Sequence, residues 1–228
     1  MIPSGYGRLR AFLRFAIPLA FIPAMTLAGA LFLDKKRYLL VSLGIAVSAL
    51  LLFDAAYESR RSSSGSAAAA AVMTALAVTG RLIPVIKPSA AIIILTGIWL
   101  GPETGFLTGA LTALLSNMIF GQGPWTPFQM LAWGLTGLIA GYLSRPLKKS
   151  RIALTAFGLA AGAAYSLLMD VYTVLSSYGE FTPALYYASV LNALPFTLSY
   201  MISDALFLFV LSEPLGKKLE RLKKRLIE

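Results

Sequence analysis

Asn117, Gln122, Trp125 and Gln129 fall within one Gly/Pro-rich break, residues 116–130, between two long apolar segments. Amides and an indole in an irregular stretch can cap a ligand through hydrogen bonds and ring contacts. Backbone that leaves a helix near membrane depth must be buried in protein or line a cavity, because lipid offers it no hydrogen-bond partner. A tight interhelical loop with an interfacial Trp gives the same composition. Gln129 and Trp133 are four apart and share a helical face, and Asn117 ends the preceding segment, so the three can converge. Tyr165, Met169 and Tyr172 supply an aromatic and sulfur surface on the following segment, which suits a large flat ligand or plain core packing.

Charged groups in apolar surroundings form the second set. Arg81 and Lys87 bracket Pro84 and Pro88; they can meet an anionic or amide-rich ligand, or snorkel to lipid headgroups. Asp170 lies eight residues before Tyr178, roughly 12 Å below the end of its helix at 1.5 Å per residue. A carboxylate at that depth should face the bundle interior, as a ligand contact or as a partner for Arg81 or a tyrosine hydroxyl. Asn192 sits at comparable depth on the last helix. Asp204 lies nearer the other end and reads as structural or as part of a subunit contact.

Several chemistries are absent. The chain has no Cys and no His, which removes disulfides, thiol chemistry, the commonest general base and a Ser/His intramembrane protease site. There is no phosphate-binding Gly-x-x-x-x-Gly-Lys-Ser/Thr loop, so ATP hydrolysis is not expected, and no Asp-rich metal cluster. An enzyme reading must rest on Asp170 with Arg81 and Lys87 as acid/base groups, without a recognisable catalytic set.

The elements that position these residues belong in a membrane. Of 228 residues, 57% are hydrophobic and 13% charged, and the mean hydropathy is +0.74. Only lipid can solvate that much apolar surface. Spans are expected over 12–33 (kinked at Pro18 and Pro23), 38–56, 67–82, 90–100, 104–120, 127–144, 152–177 and 184–212. Arg8, Arg10 and Arg14 before an apolar run also resemble a signal peptide with a small-residue site at Ala28-Gly29-Ala30; the length and the two prolines favour a retained helix. The polar linker around residues 57–66 divides an N-terminal extension (1–64) from a core (65–213), and a basic tail follows (214–228).

With eight spans, most Lys and Arg fall on one side: Arg8, Arg10, Arg14, Arg60, Arg61, Arg145, Lys148, Lys149, Arg151 and the tail. Lys35, Lys36, Arg37, Arg81 and Lys87 fall on the other. The positive-inside rule then places both termini in the cytoplasm and the 116–130 break outside. Ala67, Ala71 and Ala75 recur every fourth residue, a spacing that permits close helix approach to a partner subunit or within the chain. Gly97, Gly101, Gly105 and Gly109 share that spacing but are interrupted by Pro102; residues 101–105 read as a tight turn, with Gly109 packing in the next helix. Leu215, Leu219, Leu222 and Leu226 give the tail an apolar face suited to the inner leaflet.

The ordered set Gly80-Arg81-Leu82-Ile83-Pro84, Lys87-Pro88, Gly97 to Phe106, Ser116-Asn117, Phe120 to Met130, Ala132-Trp133-Gly134 and Gly137 to Gly141 resembles the substrate-binding S components of energy-coupling factor (ECF) transporters, over about residues 67–213. The resemblance implies an all-α, six-helix membrane bundle in the plasma membrane that binds a vitamin under its outer loops and needs no cofactor. It implies partners: a transmembrane coupling subunit, docked on small residues of the first core helix (Ala67, Ala71, Ala75), and two ATPases. It implies pocket roles for Arg81, Lys87, Asn117, Gln122, Trp125, Gln129 and Trp133; Asp170 and Asn192 are added on depth alone. The two N-terminal helices depart from that pattern. The loop is most similar to members assigned to cobalamin or related corrinoids, and a smaller vitamin such as riboflavin also fits the side chains. A catalyst built on Asp170 and a scaffold without a ligand are the competing readings.

Overall fold

The computed structural model describes residues 5–32, 37–57, 63–84 and 86–227. The first helix runs as α1 (Gly5–Ala16), a π-helical stretch (Ile17–Phe21) and α2 (Ile22–Phe32). Pro18 lacks an N–H and cannot continue an α ladder. The backbone shifts register, so that Ile22 N–H donates to Ile17 O; the proline effect expected at this point takes the form of a π stretch. The chain continues as α3 (Tyr38–Tyr57), α4 (Ser63–Arg81), α5 (Ser89–Leu100), α6 (Pro102–Phe120), α7 (Thr126–Tyr142), the short α8 (Ser144–Lys149), α9 (Arg151–Tyr178) and α10 (Pro183–Ile227). No strand occurs among the described residues.

The molecule is an all-α membrane bundle: α4 to α7, α9 and α10 form six core helices, and two N-terminal helical spans are added to them. The Leu9–Phe32, Tyr38–Ala56, Arg151–Tyr178 and Pro183–Arg225 segments are each long and apolar enough to cross a bilayer. The expected spans between 38 and 177 match these elements to within a few residues, while α1 begins earlier than expected and α10 extends well beyond 212. Much of the expected 57–66 linker lies outside the described residues, and its last part, from Ser63, is already helical.

Segment 90–100 proves short because it is enclosed. Every residue of α5 except Trp99 is buried, against α4, α6, α7 and α10. Pro88 precedes it, and Gly101, at φ +119°, turns the chain into Pro102 at the start of α6. A residue with a Cβ is strained at that φ.

The glycines bring α5, α6 and α7 together. A Cβ on Gly97 would lie 2.1 Å from Gly137 O, and one on Gly105 would lie 2.5 Å from the same oxygen. One on Gly109 would lie 2.2 Å from Trp133 O. Without side chains, three backbones meet where lipid-facing helices would be held apart.

One expectation is corrected at the C-terminus. The tail is the end of α10, a 45-residue helix carrying Pro195 and Pro214, about 68 Å long at 1.5 Å per residue. Leu219 is buried in the core cluster, and Leu215 and Leu222 pack against it. Trp99 closes this contact: its ring lies beneath Lys148 Nζ at 3.9 Å, and Gly216 sits against its edge. The apolar face that fits a leaflet therefore packs on protein, because α10 is long enough to carry it past α5 and α8.

Candidate ligand-binding site

The Arg81 and Asn117 end of the bundle gathers most of the polar candidates. Asn117 closes α6 and is 1% exposed. Its Oδ1 accepts from Arg81 Nη1 at 2.6 Å, and its Nδ2 donates to Thr126 Oγ1 and Gln129 Oε1, both at 2.9 Å. Gln129 passes the chain on: its Nε2 donates to Tyr165 Oη at 2.8 Å. Arg81 Nη1 also donates to Ser116 Oγ at 2.5 Å. Four helices thus join through one network: α4 supplies Arg81, α6 Ser116 and Asn117, α7 Thr126 and Gln129, and α9 Tyr165. Buried polar groups must be paired, since each unmet donor or acceptor in apolar surroundings is costly.

Rings surround this network. Trp133 and Tyr165 stack with centroids 5.6 Å apart and planes 20° apart. Tyr200 of α10 meets Tyr165 edge-on at 4.9 Å. The Arg81 guanidinium lies 5.1 Å from the Phe120 ring centroid and 5.2 Å from that of Trp133. It faces inward, so snorkelling to headgroups is not what it does.

The α6–α7 loop is tied to the same residues. Gln122 Nε2 donates to Leu114 O at 2.8 Å, and Gln122 Oε1 accepts from Thr126 Oγ1 at 3.0 Å. Gln122 therefore folds back over the end of α6. Trp125 is half-buried, and its ring lies over Gly123, where a Cβ would come within 2.1 Å. Gly121 turns the chain at φ +102°.

Lys87 stands beside this cluster. Its backbone N–H donates to Ser203 Oγ, and its carbonyl accepts from the same hydroxyl, both at 2.9 Å. Burial, and then the nearby Arg81 charge, hold its amine below the ordinary lysine range.

Asp170 and Asn192 lie apart from the network. Asp170 is buried between α9 and α10, where Oδ1 accepts from Ser189 Oγ at 2.9 Å. Its Oδ2 is buried with no hydrogen-bond partner among the described residues. Among the described residues neither Arg81 nor a tyrosine hydroxyl pairs with it, against the expected structural role. Asn192 is exposed on α10. Ala67, Ala71 and Ala75 form an exposed stripe on α4 with Val72 and Leu76, while Ala70, Met73, Thr74 and Ala77 face α5 and α6.

Ser116, Thr126, Tyr200 and Ser203 take part without having been singled out as candidates. Ser116 and Thr126 lie within the 116–130 break, which was their only signal. At the opposite end, Glu103 is 5% exposed and pairs with Arg14 of α1; Arg14 Nε donates to Glu103 Oε1 at 2.6 Å. Arg14 read only as part of a basic N-terminus.

A family model described as "ECF-type riboflavin transporter, S component" matches residues 62–221. These residues span α4 to α10 and hold the whole amide–aromatic network. No curated protein and no solved structure matches the chain.

Proposed function

The chain belongs to the family of ECF-type riboflavin transporter S components, and from that membership we propose that it captures a flavin-type vitamin at the Arg81 and Asn117 end of its core. The family match carries this reading. It supports the riboflavin-like alternative and gives no support to the corrinoid first choice. It also favours a transporter subunit over the enzyme built on Asp170.

The side chains fit such a ligand. A flat tricyclic ring needs aromatic faces and a few fixed donors and acceptors. Trp133, Tyr165 and Tyr200 supply the faces, and Gln129, Asn117 and Arg81 the polar groups. Gln122 and Trp125 stand in the loop that would cover the ligand, and Lys87 at its edge. Asp170, held by Ser189 between α9 and α10, and the exposed Asn192 stand outside this pocket. By the charge bias, this end faces outward and both termini lie in the cytoplasm.

Transport then needs partners: a coupling subunit and ATPases, since the chain has no phosphate-binding loop. The exposed Ala67, Ala71 and Ala75 stripe is the docking face we assign to the coupling subunit, with residues 65–213 as the transporting core and 1–64 as an addition to it.

The test is flavin fluorescence quenching on titration of the purified chain in nanodiscs, with cobalamin as competitor. Riboflavin binding that cobalamin does not displace, weakened at least tenfold in Gln129→Ala, is expected. Retention of cobalamin with no flavin response would overturn the substrate assignment. Ala71→Trp should abolish co-purification with the coupling subunit and leave flavin binding in place; loss of both would show that the stripe serves internal packing.

A further inference from the structure

A cleft of about 180 Å³ opens at the end of the bundle opposite Arg81, where α5, α8, α9 and α10 meet. Its inner wall is apolar and buried: Leu95 and Ile98 of α5 and Leu154 of α9. Its rim is polar and exposed: Lys148 of α8, Arg151 of α9 and Glu213 of α10, with Ser212 beside them. Trp99, the one residue of α5 that is not buried, also lines it. The Lys148 amine sits over that indole, 3.9 Å from the ring centroid.

The cleft lies where the apolar parts of α9 and α10 end. Arg151 opens α9, and Glu213 is the first charged residue of α10 after Asp204. The Arg151 guanidinium lies 5.9 Å from the ring centroid of Phe209, one turn before Glu213. Phe209, Val210 and Ile152 are exposed apolar groups. A guanidinium over an outward-facing ring, at the end of an apolar segment, is how a side chain meets the boundary between membrane and water. A molecule in this cleft therefore has headgroups or water at its polar end and hydrocarbon beside it.

Charge at the rim is unbalanced. Glu213 answers two cations at once: Arg151 Nη2 pairs with its Oε2, and Lys217 Nζ with its Oε1 at 2.7 Å. Lys148 has the Trp99 ring, and among the described residues no carboxylate pairs with it. Three cations thus surround one carboxylate. Farther along α10, Glu220 and Lys223 act on Lys148 with opposite signs and leave that excess in place. Burial, and then Lys223, hold the Lys148 amine below the ordinary lysine range, as expected of a cation partly withdrawn from water without a counter-ion.

We propose that this cleft holds the headgroup phosphate of an anionic phospholipid from the leaflet on this side, which is cytoplasmic under the charge bias. Lys148 supplies the charge that no carboxylate shares. Arg151 supplies a second cation, whose fork of donors can serve Glu213 and a phosphate together, and Ser212 a neutral donor. The apolar wall, with Phe209 and Ile152 outside it, receives the glycerol and the first carbons of the acyl chains. A free phosphate would use the cations and leave that apolar surface unmet, which favours the lipid. Basic pockets between helices on the cytoplasmic side suit such headgroups. The assignment is independent of the flavin reading, because the cleft shares no residue with the Asn117 network.

Native mass spectrometry of the full chain, with phosphatidylglycerol or phosphatidylcholine added in detergent, tests this. The first phosphatidylglycerol should bind about tenfold more tightly than phosphatidylcholine, and Lys148→Gln should weaken it about fivefold, the scale of one cation at an anionic surface. Lys218→Gln removes the same charge from α10 outside the cleft and should change binding by less than about twofold. Equal losses in the two variants would show diffuse attraction to the basic tail and overturn the site. Lys148→Arg keeps the charge and should keep the preference; its loss there too would trace the effect to packing on Trp99 and overturn the role of the cation. Equal binding of the two lipids overturns the lipid assignment and leaves the cleft to an acidic segment of a partner subunit. Inorganic phosphate separates the sources. A Tm gain in nanodiscs from phosphatidylglycerol, absent with millimolar phosphate in phosphatidylcholine discs, supports the lipid. An equal gain from phosphate, lost in Lys148→Gln, identifies a soluble anion as occupant and overturns it.

Discussion

Asn117 is the hub of the polar network between α4, α6 and α7. Its single carboxamide answers Arg81 on one side and Thr126 and Gln129 on the other, so removing it takes a partner from each of the three and leaves Gln129 Oε1 without its donor in apolar surroundings. Asn117→Ala should destabilise the bundle by about 2–3 kcal/mol, the scale for orphaning buried polar groups, seen as a lowered Tm in nanodiscs. A Tm within a degree of wild type would show that water or a rearranged Gln129 satisfies the site. Asn117, Gln129 and Trp133 were legible in the sequence because amides and an indole stand out against aliphatic neighbours. Thr126 and Ser116 were not. Hydroxyls are common in such helices because they can return a hydrogen bond to the carbonyl one turn back, as Thr96, Thr112 and Thr136 do here. Composition cannot tell a hydroxyl satisfied in that way from one that reaches across to another helix. Asn192 is exposed on α10 rather than inside the bundle, because depth along a helix does not state which face a side chain occupies.

The inner helix spans were legible to within a few residues, because apolar length and Pro/Gly breaks mark them directly, whereas α1 begins earlier and α10 runs on well past the expected ends. Helix contacts were not legible. Gly97 and Gly105 belong to different helices and meet through Gly137 of a third, and spacing within one helix carries no information about its partner. The two kinds of glycine in this chain should therefore respond differently. Gly137→Ala places a Cβ 2.3 Å from Gly105 O, which only separation of α6 and α7 relieves. A loss of about 3 kcal/mol is expected, at the upper end for overpacking. Gly121→Ala meets no atom within 4 Å but keeps a φ of +102°, and should lose about 1–2 kcal/mol from backbone strain alone. Comparison of the two Tm shifts in the same nanodisc checks this. A larger shift for Gly121→Ala would mean that the loop, rather than the helix crossing, limits stability.

At the scale of the whole molecule, the two N-terminal helices are joined to the core by more than grease. α3 packs on α6 and α7, Phe15 stacks on Tyr142 at 5.7 Å, and Arg14 meets Glu103. At the other end, Thr26, Gly29, Tyr38 and Val41 share a small cavity of about 50 Å³ with Pro124, Phe128, Tyr172 and Ser176. The extension therefore touches the core at both ends of the bundle and behaves as part of one body. Its ion pair makes that claim measurable. In the full chain Glu103 has its cation, so Glu103→Gln breaks a largely buried pair and should destabilise by about 3 kcal/mol. In a chain that begins at Ser63, Arg14 is gone and Glu103 is a carboxylate without its partner. There Glu103→Gln removes the unpaired charge and should raise the Tm. The substitution thus changes sign with the presence of the extension, which loss of apolar contact alone cannot produce. A Tm change of the same sign in both chains would mean that α1–α3 hold the core through packing, and that the Arg14–Glu103 contact adds nothing of its own.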